Sequence, residues 1–327
     1  MKHYIGIDLG GTNIKVGLVN ELGEMILKKS IKTRAERAGE EIVADMANLS
    51  LEVIREAGYS EADVVSIGIG SPGVSNNKNG ELVVAYNLPF RHMPMRAEMH
   101  KITALPVYIG NDANVAALAE SAFGAARGSA CSVAVTLGTG VGGGVVINNR
   151  IYSGFNESGC EVGHIVLAAG GEACTCGRKG CFEAYCSASA LIRDTERAAE
   201  ANPASIMNQL IAENGGKASG RTSFEAKRQG DAAAAAVVDH YIDMLAEGLA
   251  NVINGYMPEV IVIGGGVCNE GDDLMLPLIE KTYEKAKSFL IEGIERPQIR
   301  VAQMGNDAGI VGAAMMGRSC YEDGLPG

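Results

Sequence analysis

The sequence predicts an α/β protein built as two related domains that face each other across a cleft. The first observation is a strand, a glycine turn and a second strand over residues 4–19, where apolar residues keep a period of two on either side of Gly10-Gly11-Thr12. The second is the return of that pattern about 130 residues later, where residues 132–137 enter Gly138-Thr139-Gly140-Val141-Gly142-Gly143-Gly144 and residues 145–147 leave it. The third is that each copy is followed by helical segments. With 327 residues, 47% of them hydrophobic and 20% charged, the chain can fill two cores.

The elements follow in order. The first glycine turn is neither a Rossmann nor a Walker loop, because Ile14, Val16 and Leu18 continue a strand where those loops begin a helix, and no Gly-Lys-Ser/Thr follows. Glycines without Cβ still let several backbone N–H groups point at one anion, so such a hairpin can cradle phosphate. A third strand is expected over residues 25–32. Ile42, Met46, Leu49 and Val53 then recur at helical spacing up to a terminating Gly58. Residues 64–69 read as a buried strand running into Gly70-Ser71-Pro72-Gly73, Asn79-Gly80 as a hairpin turn, and Asn87-Leu88-Pro89-Phe90 as a loop before a short helix. A strand over residues 106–109 ends in Gly110-Asn111-Asp112-Ala113-Asn114, with an alanine-rich helix over about 115–124. Beyond the second glycine turn, Ser187 or Ser189 caps a helix through Leu191 and Ala199, residues 214–223 form a polar loop, and residues 231–256 form one long helix. A strand over 260–263 meets Gly264-Gly265-Gly266 and another helix. A strand over 299–302 precedes Asn306-Asp307-Ala308-Gly309 and a last helix that packs back on the N-terminal domain.

A formal charge of −11 and a pI near 5.1 argue against a nucleic-acid surface, which needs clustered Lys and Arg. The first strand starts close to Met1, no apolar run with a cleavage site precedes it, and no apolar stretch reaches the roughly 20 residues that span a bilayer. A cytoplasmic protein is the expectation, with no membrane and no nucleic acid among its partners. Cys131, Cys160, Cys186, Cys268 and Cys320 are scattered singly and read as reduced, partly buried hydrophobes.

The densest chemistry lies between Glu161 and Glu183. His164, Cys174, Cys176 and Cys181 supply one imidazole and three thiols, the soft set that tetrahedral zinc takes in a closed structural site. Gly177 and Gly180 let the chain turn tightly enough for the thiols to face one point. A disulfide is the competing reading, but Cys174 and Cys176 are too close to pair comfortably and nothing points to an oxidising compartment.

Glu161-Val-Gly-His164 followed by Cys174-Thr-Cys-Gly-Arg-Lys-Gly-Cys181-Phe-Glu183 resembles, without departure, the zinc motif of the ROK family of sugar kinases. The resemblance covers nearly the whole chain. Asp8-Leu9-Gly10-Gly11-Thr12 is similar to the family's first phosphate motif, Leu137 to Gly144 to the second, and Ile263-Gly264-Gly265-Gly266-Val267 to the adenosine motif. It implies two actin-like or RNase H-like domains of hexokinase type, one spanning 1–112 plus 305–327 and a larger one spanning 113–304 with the zinc motif. It also implies ATP with Mg2+, structural Zn2+ on His164, Cys174, Cys176 and Cys181, a homodimer or homotetramer, and transfer of phosphate to a hexose, glucose first.

Phosphoryl transfer to a hydroxyl needs the nucleotide held with magnesium, the acceptor held in line and a carboxylate to take the proton. By resemblance that base is Asp112, and the sugar ligands are Gly73, Asn87, Asn111, Asp112, Glu161, His164 and Glu183. Asp8, Gly10, Gly11, Thr12, Gly138, Thr139, Gly140, Gly264, Gly265 and Gly266 would face the nucleotide, with Asp8 toward magnesium. Plainer readings stand beside these. Asp8 also suits a turn and Gly73 a tight turn, Thr12 and Thr139 are at home beside strands, and a lone Glu is usually solvated. Lys15 reads as an exposed strand lysine. Asp112 and Asp307 sit in the same Asn-Asp-Ala triplet, a common helix cap, and local sequence does not separate them. The resemblance does, making Asp307 the structural cap.

Three other functions remain open to the sequence: a kinase of N-acetylmannosamine, fructose or another hexose, a sugar-responsive repressor of the same family, and an actin-like nucleotide switch without a sugar site. The repressors carry an added N-terminal helix-turn-helix, for which a strand starting so near Met1 leaves no room.

Overall fold

The structure is a computed structural model and describes residues 1–85 and 87–327. The chain forms two compact units, one of residues 1–134, 144–160 and 302–327, the other of residues 135–143 and 161–301. The expected boundary at Asp112 falls inside the first unit instead, because the helix that follows it packs on the C-terminal helix.

In the first unit β1 (His3–Leu9), β2 (Asn13–Asn20) and β3 (Met25–Lys32) form an antiparallel meander. Helix α1 (Gly39–Glu56) buries Ile42, Met46 and Val53, the stripe its periodicity predicted, and stops at Gly58, whose φ is 84°. β4 (Val64–Ser71) then pairs parallel with β1. β5 (Val74–Asn76), β6 (Glu81–Ala85) and β7 (Phe90–Met93) make a small separate sheet, with Gly80 in the β5–β6 turn. β7 stands where a loop was expected. After α2 (Met95–Met99), β8 (Val107–Asn111) pairs parallel with β4, and α3 (Asp112–Ala122) follows at once. The sheet order β3-β2-β1-β4-β8 is completed on one face by α10 (Ala308–Glu322), which lies against β1, β4 and α3. Ile5, Ile7, Ile67, Ile69 and Val107 are fully buried in its core with Ile42 and Met46 of α1.

β9 (Cys131–Leu137) and β10 (Val141–Ile147) pass from one unit to the other, and β11 (Arg150–Tyr152) completes a meander. With β12 (Val260–Gly264) and β13 (Gln298–Val301) the second five-stranded sheet runs β11-β10-β9-β12-β13, the order of the first sheet over again. The repeat read from the two glycine turns therefore extends to whole sheets. The second turn is shorter than expected, since Val141 to Gly144 already belong to β10. The helices of the second unit are α4 (Glu183–Cys186), α5 (Ala188–Ala201), α6 (Ile206–Glu213), α7 (Thr222–Arg228), α8 (Ala232–Tyr256) and α9 (Asp272–Lys285). Ser187 caps α5 through the Ala190 N–H, and Asp231 caps α8 through the Ala234 N–H. Helices α6 and α7 flank and enter the stretch read as loop. Among the described residues no helix is long and apolar enough to cross a membrane, and no two cysteines are joined in a disulfide.

Candidate active site

Parallel pairing gathers the candidate residues of the first unit. Asp8 stands opposite Gly70, and Gly70 opposite Gly110, so Asp8 at the end of β1 and Asn111-Asp112 at the end of β8 arrive at the same carboxyl edge of the sheet. Beyond Asp8 the turn closes with the Gly10 N–H donating to the Asn13 carbonyl at 3.0 Å, leaving Thr12 exposed. Thr33, fully buried, fastens this turn from β3's far end: its hydroxyl donates to the Gly10 carbonyl at 2.6 Å and its N–H to that of Thr12 at 3.0 Å. Sequence reading passed over Thr33, since the partner lies 23 residues away. Lys15 lies on β2 with its side chain partly exposed, as read, but its ammonium also pairs with Asp8 Oδ2 at 2.8 Å. A Cβ on Gly309, at the start of α10, would stand 2.8 Å from the Asp8 carboxyl carbon, so this glycine makes room for the carboxylate.

Asn111, not Asp112, caps α3. Its Oδ1 accepts from the N–H groups of Ala113 at 2.9 Å and Asn114 at 3.2 Å, and its Nδ2 donates to the Gly73 carbonyl at 3.2 Å. The helix accordingly begins at Asp112, three residues before the expected Val115. With the cap supplied next door, the Asp112 carboxylate takes the Ala113 N–H through Oδ1, at 2.8 Å. Burial pushes its pKa above the usual carboxylate range, and the charge of Asp8 pushes it further, against the pull of the Ala113 N–H. Gly73 adopts φ of 96°, and a Cβ there would run into the Val84 carbonyl of β6. Exposed Asn87 borders the first glycine turn: a Cβ on Gly11 would lie 3.3 Å from its Nδ2. Asp307 offers no side-chain cap to α10. Its carboxylate instead takes two bonds from the Lys28 ammonium, at 2.7 and 2.9 Å, so the cap expected there is corrected to an ion pair.

The second unit carries the other glycine turn and the cysteine segment. Gly138 N–H donates to the Gly140 carbonyl at 3.0 Å, with Gly138 and Thr139 exposed. Gly265, at φ of 102°, lies against the Leu137 carbonyl, which brings Gly264-Gly265-Gly266 beside the second turn; Gly265 and Gly266 are exposed and Gly264 is buried. Glu161, exposed, precedes a turn of 3₁₀ helix that ends at His164.

The cysteines are gathered by a small hairpin in which Val166 bridges Cys181 and Ala173 bridges Lys179. The Gly177 N–H returns to the Cys174 carbonyl, and Gly177 and Gly180 take φ of 86° and 83°, so both glycines read from the sequence sit where L side chains are strained. The ligand atoms of His164, Cys174, Cys176 and Cys181 all lie within 4.8 Å of one another. Cys174 Sγ is 3.6 Å from His164 Nδ1, and Cys176 Sγ is 3.7 Å from Cys181 Sγ. Two sulfurs on a tetrahedral ion with bonds of about 2.3 Å stand about 3.8 Å apart, so the set fits such an ion. Without a metal, burial and the neighbouring thiols push Cys181 up to about 12, while the Arg178 N–H holds Cys176 below its ordinary value. Glu183 is half-buried, with Oε1 taking the Thr175 hydroxyl at 2.6 Å and Oε2 the Val141 N–H at 3.2 Å.

The sequence profile of the ROK family matches residues 4–319. A glucokinase of Thermotoga maritima is 38% identical over 95% of this chain and 95% of its own, and one of Halalkalibacterium halodurans 36% identical over 96% and 94%. Among solved structures, a ROK family glucokinase from Streptomyces griseus in complex with glucose and AMPPNP superposes with a TM-score of 0.76 at 34% identity, covering 97% of this chain and 99% of that one.

Proposed function

The chain belongs to the ROK family, and on that premise we propose that it transfers the γ-phosphoryl group of ATP to a hexose, glucose by preference. Asp112 takes the proton from the attacking hydroxyl. The single observation that carries this is the division of labour at the start of α3: Asn111 does the capping, and Asp112 keeps a carboxylate with a raised pKa beside Asp8. Asp112 spends Oδ1 on the Ala113 N–H, but the N–H of Asn114 goes to Asn111.

In the first unit Gly73, Asn87 and Asn111 are the residues assigned to the sugar. In the second they are Glu161, His164 and Glu183, and the two carboxylates accept stronger bonds than neutral groups would. The glycine turns at Gly10-Gly11-Thr12 and Gly138-Thr139-Gly140 offer backbone N–H groups to phosphate, with Gly264, Gly265 and Gly266 at the adenosine end. Asp8, paired with Lys15 through Oδ2, would face Mg2+, which would offset phosphate charge. His164, Cys174, Cys176 and Cys181 would hold Zn2+. Four protein ligands would leave it no open position, so these residues would be pinned by it and no Lewis-acid chemistry supplied. With Nδ1 turned toward the thiols, His164 keeps Nε2 for a sugar hydroxyl. The experiment is a comparison of kcat/KM across glucose, mannose, fructose, N-acetylmannosamine and N-acetylgalactosamine with ATP. Glucose leads in the expected result; a higher kcat/KM for another hexose replaces the substrate, and turnover of ATP without any sugar dependence overturns the reading.

A further inference from the structure

Glu183 is held at both oxygens by groups from different stretches of the second unit. Oε1 receives the Thr175 hydroxyl at 2.6 Å, and Oε2 receives the Val141 N–H at 3.2 Å, at the point where the second glycine turn becomes β10. The fit is close, because a Cβ on Gly140 would run into Oε2. The Cys174 thiol also approaches Oε1, at 3.4 Å, but a cysteine that binds a metal does so as thiolate and has no proton to give. In the loaded protein Thr175 is therefore the side-chain donor left to Oε1. A glutamate has three rotatable bonds, and one donor fixes a single oxygen; two donors on opposite oxygens fix the plane of the carboxylate.

We propose that Thr175, inside the cysteine turn, is a positioning residue for sugar binding, orienting the Glu183 carboxylate so that its remaining lone pairs meet a sugar hydroxyl in one geometry. This rests on the reading of Glu183 as a sugar ligand. It gives the residue between Cys174 and Cys176 a task separate from holding metal, for which it offers no thiol.

The test uses the full-length, metal-loaded protein with glucose as the probe. Thr175→Val keeps the shape and removes the hydroxyl, and Thr175→Ser restores it. Calorimetric titration of glucose without nucleotide, KM for glucose and ATP, and zinc content are measured for each. The expected result is a glucose Kd and KM raised roughly tenfold in Thr175→Val, a typical effect of losing one hydrogen bond to a charged group. KM for ATP and zinc content stay at the parent values, and Thr175→Ser recovers glucose affinity to within about threefold. A Thr175→Val protein with full zinc and a glucose Kd within twofold of the parent overturns the proposal, and so does loss of zinc with equal loss of both affinities, which marks a purely structural role. Glu183→Gln separates this from the premise: if its glucose Kd is unchanged, the assignment of Glu183 fails, whereas a weakened Glu183→Gln beside an unaffected Thr175→Val defeats only the role of Thr175.

Discussion

Asn111 and Asp112 show how one residue's occupation decides its neighbour's chemistry. The raised pKa of Asp112 means that the folded state binds this proton more tightly than the unfolded chain does. The stability this adds is full below the unfolded value, about 3.9, and is lost as pH climbs through the folded value. At neutral pH the ionised carboxylate is thus a burden on the fold. Asp112→Asn keeps the Oδ1 acceptor for Ala113 and removes the charge. It is expected to lower kcat about 10²- to 10⁴-fold while raising Tm at pH 7, with the gain in Tm vanishing in acid. Calorimetry across pH beside steady-state kinetics checks both halves, and a Tm no higher than the parent's at pH 7 contradicts the buried-charge account. In the unaltered protein kcat/KM should fall with acid through a pKa above the usual carboxylate range. None of this could be read from the triplet itself, because Asn111-Asp112-Ala113 and Asn306-Asp307-Ala308 are locally the same; the difference is made by Gly73 and Asp8 on one side and Lys28 on the other.

At the scale of elements, the cysteine hairpin was legible because its signal is local. Ligand spacing and two glycines lie within one short stretch, and the structure brings the four ligand atoms together without help from distant chain. Cys176→Ser should release zinc, measured by elemental analysis, and raise KM for glucose roughly 10- to 100-fold, the usual cost of disturbing a metal site's support. KM for ATP should change by less than about threefold, and an equal rise in both would remove the scaffold role. That α10 packs back on the first unit was expected, but the glycines that admit it were not. Its glycines have no pattern of their own, yet a Cβ on Gly68 of β4 would run into the Ala313 carbonyl of that helix. Gly68→Ala should therefore destabilise the first unit by about 1–3 kcal/mol, seen as a lower Tm with zinc content unchanged. β7, β11, α6 and α7 escaped notice for a simpler reason, being 3 to 8 residues long and too short to show a period.

Across the whole molecule, the glycine turns pointed to a duplication, and the repeated sheet order is its full extent. The boundary after Asp112 was misplaced because it depends on which helix covers which sheet: α3, which opens at Asp112, packs with α10. Thr33 and Gly309 escaped for the same reason, each serving a turn or a carboxylate far along the chain. The first unit is discontinuous, and that arrangement bears on how the protein is made. Ribosomal synthesis delivers β1 and β4 early, but the helix that shields one face of their sheet emerges only after every residue of the second unit has been added. Vectorial folding must then leave an apolar surface waiting through most of translation, the kind of surface to which nascent-chain chaperones bind.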